Sequence, residues 1–250
     1  MEMTKPALKQ TIKESPIIMS AESVRATLAD LKTATRRVIK PKFGVCSDCW
    51  KLSTPHNYEQ LHDENGELNA AGGLFGEQPY LRVPACDHND ATGGRVRARY
   101  RKGERFWIRE AWGDVTRAFQ GPDCDEPRVI AMKADSAVYN AEGEKLIYLE
   151  KMDDSGIVCS KWKSPIHMPR WASRITLEII DVRIERLQDI TTLGIEAEGI
   201  RLKPEAWSVG DDTIKSIFGH LWNKINGKCK GCDWESNPFV WRIEFKRIEK

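Results

Sequence analysis

Between Ile175 and Leu187 the apolar residues alternate twice, and the two alternations are out of step by one residue. Ile175, Leu177 and Ile179 belong to one phase, and Ile180, Val182 and Ile184 to the other. A period of two marks a strand with one buried face. A slip of one residue within that period is what a β-bulge at Ile179–Ile180 produces in a sharply curved sheet.

Other strand signals surround it. Phe106 to Arg109 and Val129 to Lys133 read as strands, and Ala137–Tyr139 with Lys145–Leu149 reads as a hairpin around Glu142-Gly143. Phe239, Trp241, Ile243 and Phe245 alternate in a last strand, and a polar arm over residues 1–15 leads into a short one at Pro16–Met19. Helices are fewer. Ser20 caps one with an apolar stripe of Val24, Leu28 and Leu31, which must end before Pro41, with Val38-Ile39 already extended. A short helix runs from Thr192 to Glu198 and is closed by Gly199. A stronger one is capped by Asp211 or Asp212, carries Ile214, Ile217, Phe218, Leu221, Trp222 and Ile225 on one face, and stops at Gly227.

Many curved strands with few helices predict an α+β chain: a small curved β-barrel with flanking helices. At 250 residues the chain can bury a real core, and one domain over residues 16–250 is the expected organisation. Residues 42–100 differ in texture, with Gly72-Gly73, Gly93-Gly94, scattered His and Cys and little periodicity. They read as a loop-rich Cys/His-containing insertion.

The net charge of +2 does not announce a nucleic-acid binder, but the distribution is uneven. Arg95, Arg97, Arg99 and Arg101 would share one face of a strand, with Arg105 and Arg109 close behind. A second basic and aromatic stretch, Lys161 to Trp171, includes Lys163, Arg170 and Trp171, and the chain holds nine tryptophans. Planar rings beside cations suit base stacking and phosphate contact, so RNA, DNA or a modified nucleoside is an expected partner. The alternative is that the rings are core and the arginines a solvated face.

The run Leu31 to Arg37 places Lys32, Thr33, Thr35, Arg36 and Arg37 at the expected helix end. On helical spacing Lys32, Thr35 and Arg36 share a face. Such a cluster can bind phosphate or a base, or activate Thr35 as a nucleophile if Lys32 loses its proton.

Seven cysteines are an odd count, which argues against a complete disulfide framework. Two C-x-x-C pairs and a Cys-x-His allow a structural zinc. One ligand set is Cys46, Cys49, Cys86 and His88, inside the insertion. The other is Cys46, Cys49, Cys229 and Cys232. Reduced thiols or a redox pair are the alternatives. The N-terminus lacks the apolar centre of a signal peptide and no apolar run reaches membrane-spanning length, so no membrane partner and an intracellular place are expected.

Four ordered blocks resemble the ASCH domain family: Lys32-Thr33-Ala34-Thr35-Arg36, Gly103 to Trp112, Ile190 to Ile200, and Trp241 to Phe245. The block Lys163 to Arg174 looks like its bacteriophage and prophage branch. The resemblance covers residues 16–40 and 103–248 and leaves the insertion largely outside. It implies a PUA-like β-barrel, association with RNA or modified nucleosides, and a place in the cytoplasm of a bacterial host cell. In a small bacterial amidohydrolase of the family, which deacetylates acetylated cytidine, the motif lysine and second threonine act with a downstream glutamate. By motif position this implies Lys32 as base, Thr35 as nucleophile and Glu198 as proton relay. A ribonuclease, or a phage protein acting through protein partners at the 42–100 insertion, are the other implied readings. Two positions depart from the family. Asp30 stands where it has glycine and could pair with Lys32, and Gly194 weakens the helix that presents Glu198.

Overall fold

The computed structural model describes residues 12–40, 53–56, 78–83, 94–115, 130–139, 145–148, 162–201 and 210–248. Strand β1 (Glu14–Ile18) leads to Ser20, whose Oγ accepts a hydrogen bond from the Ser23 amide, and helix α1 (Ala21–Leu28) starts there. The helix stops earlier than its apolar stripe predicts. Asp30 takes a left-handed φ of 56°, and the amides of Leu31 and Lys32 both return to the Ala26 carbonyl. Leu31 is exposed, and the chain then extends as strand β2 (Ala34–Val38). The β-branched Thr33, Thr35 and Val38 favour that outcome over helix. Lys32, Thr35 and Arg36 therefore do not share a helical face.

The chain divides into two compact units, each assembled from separated stretches. The first comprises Met1–Ile18, Gly103–Glu178 and Ile248–Lys250. Within it β1 pairs in parallel with β6 (Arg105–Arg109), and β6 pairs antiparallel with Thr176–Glu178, the start of β11 (Thr176–Arg186). Phe106, Trp107 and Ile108 are buried in succession, so β6 is covered on both faces. A four-stranded antiparallel sheet is built from β7 (Trp112–Asp114), β8 (Ile130–Met132), β9 (Ala137–Tyr139) and β10 (Lys145–Tyr148). The β9–β10 hairpin is the one that its sequence pattern predicts. Trp112, Ile130, Met132 and Tyr139 pack with Met168 and Ala172, which arrive on single 3-10 turns at Pro165–His167 and Arg170–Ala172.

The second unit comprises Met19–Lys102 and Ile179–Arg247. Here the rest of β11 lies beside β12 (Phe239–Ile248), and β12 pairs antiparallel with β2. Helices α2 (Thr192–Ala197) and α3 (Asp211–Asn226) close one core of Leu187, Ile190, Ile195, Phe218 and Trp222. Gly210, not an aspartate, occupies the α3 cap position, and the Thr192 hydroxyl donates to Asp211 Oδ1 at 2.7 Å. The buried stripe of α3 is Ile214, Phe218 and Trp222, while Ile217, Leu221 and Ile225 are exposed.

Part of the segment read as a loop-rich insertion is strand. β3 (Thr54–His56), β4 (Tyr80–Val83) and β5 (Gly94–Arg97) form an antiparallel sheet, and Leu81 and Val83 pack with Ile39, Ile184 and Phe239. Strands of three or four residues are too short to show an apolar period, and only the alternate arginines Arg95 and Arg97 mark one of the three, β5.

Along β11 the buried residues are Leu177 and Ile179, then Val182 and Ile184, with Ile180 exposed between them. The change of phase seen in the sequence is thus a change of buried face. The fold is α+β, and within each unit the described strands form open ladders rather than a closed barrel. Among the described residues no helix is long and apolar enough to cross a membrane.

Candidate functional site

Lys32 lies just before β2, where it forms an antiparallel bridge with Glu198, the residue that caps the C-terminus of α2. The chain is held there by backbone bonds on both sides. Thr33 N–H donates to the Ala197 carbonyl at 2.9 Å, and Phe245 N–H donates to the Thr33 carbonyl at 2.8 Å. Two glycines make room. Gly199 has φ +85°, and a Cβ on it would stand 2.7 Å from Ala26 Cβ and 2.9 Å from Lys32 Cβ. A Cβ on Gly194 would meet an Arg36 guanidinium nitrogen at 3.0 Å. Gly194 therefore does more than weaken α2, since it admits Arg36 to the face of the helix.

The side chains form one charge network. Lys32 Nζ donates to Glu198 Oε2 at 2.6 Å and to the Glu198 carbonyl at 2.8 Å. Arg36 donates from Nε to Glu185 Oε1 at 2.6 Å, and from Nη1 to Glu198 Oε1 at 3.2 Å and the Gly194 carbonyl at 3.3 Å. The Lys32 and Arg36 side chains are only 4% and 2% exposed, so their charges are held out of water and offset by two carboxylates. Such a network is stable only while every member keeps its partner. Asp30, the candidate partner of Lys32, instead binds Arg247 with both oxygens, at 3.1 and 3.0 Å.

Thr35 is placed differently. Along β2 successive side chains alternate in face, so Thr35 and Arg37 point away from the Arg36 side. Thr35 is opposite Ile243 of β12 and Arg37 opposite Trp241, whereas Arg36 is opposite Arg242 and Ala34 opposite Glu244. The charged members thus gather on one face: Arg242 reaches Glu185 and binds Glu244. Thr35, itself buried, sits on the face that holds Ile243. Of the three residues the resemblance assigns to catalysis, Lys32 and Glu198 meet, and Thr35 lies on the other face of the strand. Beside the network an open pocket of about 440 Å³ is lined by Lys32, Thr33, Ala34, Ala197 and Phe245, with Asp30 and Arg247 among its other walls.

Four of the residues expected to touch nucleic acid come together in the first unit. The Arg109 guanidinium stands 4.7 Å from the centre of the Trp107 ring, and that of Arg170 stands 5.9 Å from it. Lys163 Nζ lies 4.6 Å over Trp112, and Trp171 meets the same ring edge-on at 5.9 Å. Trp107 and Trp112 are buried, Lys163 is exposed, and Trp171 is 40% exposed. Arg97 and Arg99 belong to the second unit and are exposed; β5 ends at Arg97, and Arg99 lies over the Tyr100 ring, so the four alternate arginines do not lie along one strand.

A second buried network, invisible in the sequence pattern, lies in the first unit. Arg174 binds Glu110 through Nε and Nη2, both at 2.9 Å, and donates from Nη1 to Asp135 Oδ2 at 2.8 Å. The Tyr139 hydroxyl donates to the same Asp135 oxygen. Burial pushes the Glu110 carboxyl above its ordinary range despite Arg174. At Asp135 burial pulls the same way, but the hydrogen bonds of Arg174 and Tyr139 outweigh it and hold the carboxyl below the usual range. Burial, then Asp135, raises the Tyr139 phenol.

Of the expected zinc ligands, Cys46, Cys49, Cys86 and His88 lie outside the described residues. Cys229 and Cys232 are free thiols in the turn between α3 and β12. Among the described residues no three His, Cys, Asp or Glu side chains are gathered as metal ligands. No family model, curated protein or solved structure matches the chain.

Proposed function

We propose that the protein binds single-stranded nucleic acid or a modified nucleoside and is an ASCH-type, PUA-like protein of phage origin. One observation carries this reading: Arg109, Lys163, Arg170 and Trp171 gather around Trp107 and Trp112, with Trp171 and Lys163 reaching solvent. An exposed ring, Trp171, and an exposed cation, Lys163, set against the same buried ring of Trp112 suit base stacking with phosphate contact. Two further features agree with the family reading. Asp30 takes a left-handed conformation at the position where the family has glycine, and the change of buried face along β11 suits a curved sheet. Lys32 and Arg36 contribute differently from a plain phosphate cleft, because both are engaged by carboxylates.

The test is binding of labelled single-stranded RNA and DNA across a salt series. Affinity should fall steeply as salt rises. Trp171→Ala should cost roughly 1–3 kcal/mol of binding. Absence of affinity for either strand at low salt, or an unchanged Trp171→Ala, overturns the reading.

A second reading, deacylation of an N-acylated cytidine, is favoured by the Lys32–Glu198 contact, since those residues match the family's lysine and glutamate. The position of Thr35 beside Ile243 weighs against its use as the nucleophile. Release of acetate from N-acetylcytidine, lost in Lys32→Ala and in Thr35→Ala, would establish this reading over binding alone. No release by the parent chain removes it.

A further inference from the structure

Past the end of α3 the chain makes a tight turn over Cys229-Lys230-Gly231-Cys232. The Cys232 amide donates to the Cys229 carbonyl at 3.0 Å, and Gly231 supplies the positive φ, +73°, that the turn requires. A four-residue turn closed in this way brings its end Cα atoms within about 7 Å, inside the reach of a disulfide. The two thiols stand at the two ends of this one turn, and the Cys232 thiol donates to the Lys230 carbonyl within it at 3.9 Å. Their surroundings differ: Cys229 is exposed and Cys232 is buried. The turn is anchored, because Trp222 Nε1 of the helical core donates to the Cys232 carbonyl at 2.7 Å.

We propose that Cys229 and Cys232 are a reversible dithiol–disulfide pair that exchanges with low-molecular-weight disulfides of the glutathione type. Cys229, the thiol that solvent can reach, attacks as thiolate on one sulfur of the small disulfide. That S–S bond breaks, a mixed disulfide forms on Cys229, and the first small thiolate leaves. The Cys232 thiolate then attacks the Cys229 sulfur and expels the second. The protein pair loses two electrons and is oxidised, the small disulfide is reduced, and the two protons given up by the protein thiols end on the two small thiols. The anchored turn keeps the two cysteines at its two ends, so the internal step closes a loop of only four residues.

The experiment equilibrates the full reduced chain with mixtures of oxidised and reduced glutathione, traps free thiols by alkylation and maps them by mass spectrometry. Loss of both alkylation sites at Cys229 and Cys232 together, reversed by excess reduced glutathione, is the expected result. Cys232→Ser should accumulate a glutathione adduct on Cys229, and Cys229→Ser should leave Cys232 unmodified. Three outcomes would overturn the proposal: both thiols still alkylated in oxidised buffer, a bridge from either to Cys46, Cys49, Cys86, Cys124 or Cys159, or stoichiometric zinc that shields the pair. The last would instead support the ligand set containing Cys229 and Cys232.

Discussion

Lys32 Nζ lies 2.6 Å from Glu198 Oε2, across 166 positions of sequence. The contact joins the segment between α1 and β2 to the C-terminal cap of α2, and it is nearly closed to water. Removing one partner leaves a buried charge without its counter-ion. Glu198→Gln should therefore destabilise the protein by about 3–5 kcal/mol, read from the urea unfolding midpoint. Replacing Lys32 and Glu198 together by methionine should recover most of that loss. A cost below about 1 kcal/mol for the single change would show that the pair behaves as a surface ion pair.

Gly199 and Gly103 share a positive φ but not the same surroundings. Gly103→Ala meets open space, so only the conformational cost of about 1 kcal/mol applies. Gly199→Ala adds a collision with Ala26 and Lys32 and should cost at least about 2 kcal/mol more. Equal unfolding midpoints for the two variants would show that Lys32 moves aside freely.

The Glu110–Arg174–Asp135 network should make stability depend on pH in two opposed ways. Asp135 is held below its ordinary value, so its contribution is present above about pH 3.8 and is lost as pH falls through the lowered value. Glu110 is raised, so its contribution is complete below about pH 4.5 and is lost as pH rises through the raised value. Asp135→Asn should flatten the acid limb of a stability–pH curve. Glu110→Gln should remove a decline above pH 4.5. The same sign from both variants would contradict the network.

Lys163 over Trp112 is exposed and can give its charge to a phosphate. Lys163→Ala should lower the slope of log affinity against log salt by about 1 and leave base preference unchanged. A changed preference with an unchanged slope would place Lys163 against a base instead.

The sequence pattern located the longer strands, the Ser20 cap, the β9–β10 hairpin and the α2–Gly199 stop. It also paired Lys32 with Glu198, through the family resemblance rather than through spacing. It misplaced Lys32 and Thr35 because the apolar Leu31 prolonged the helical stripe, whereas Asp30 ends it by turning left-handed. The β-branched Thr33 and Thr35 were the available signal. Glu185 was missed because a carboxylate on a strand shows no sign of which distant guanidinium it will meet; its partner Arg36 is 149 residues away. Gly194 read as a defect because helix propensity is a local quantity, and the reason for that glycine is a side chain from β2.

Both units draw on stretches separated by long intervals of chain, and this sets an order of events during synthesis. Strand β1 emerges well before β6, its parallel neighbour, and Lys32 emerges 166 residues before Glu198. At roughly 5–20 residues per second the ribosome needs roughly 8–33 s to cover that interval. During it the cation that ends nearly dry must stay hydrated, and β2 is without β12, the strand it pairs with. Because the stretches are interleaved, no single cleavage releases either unit intact.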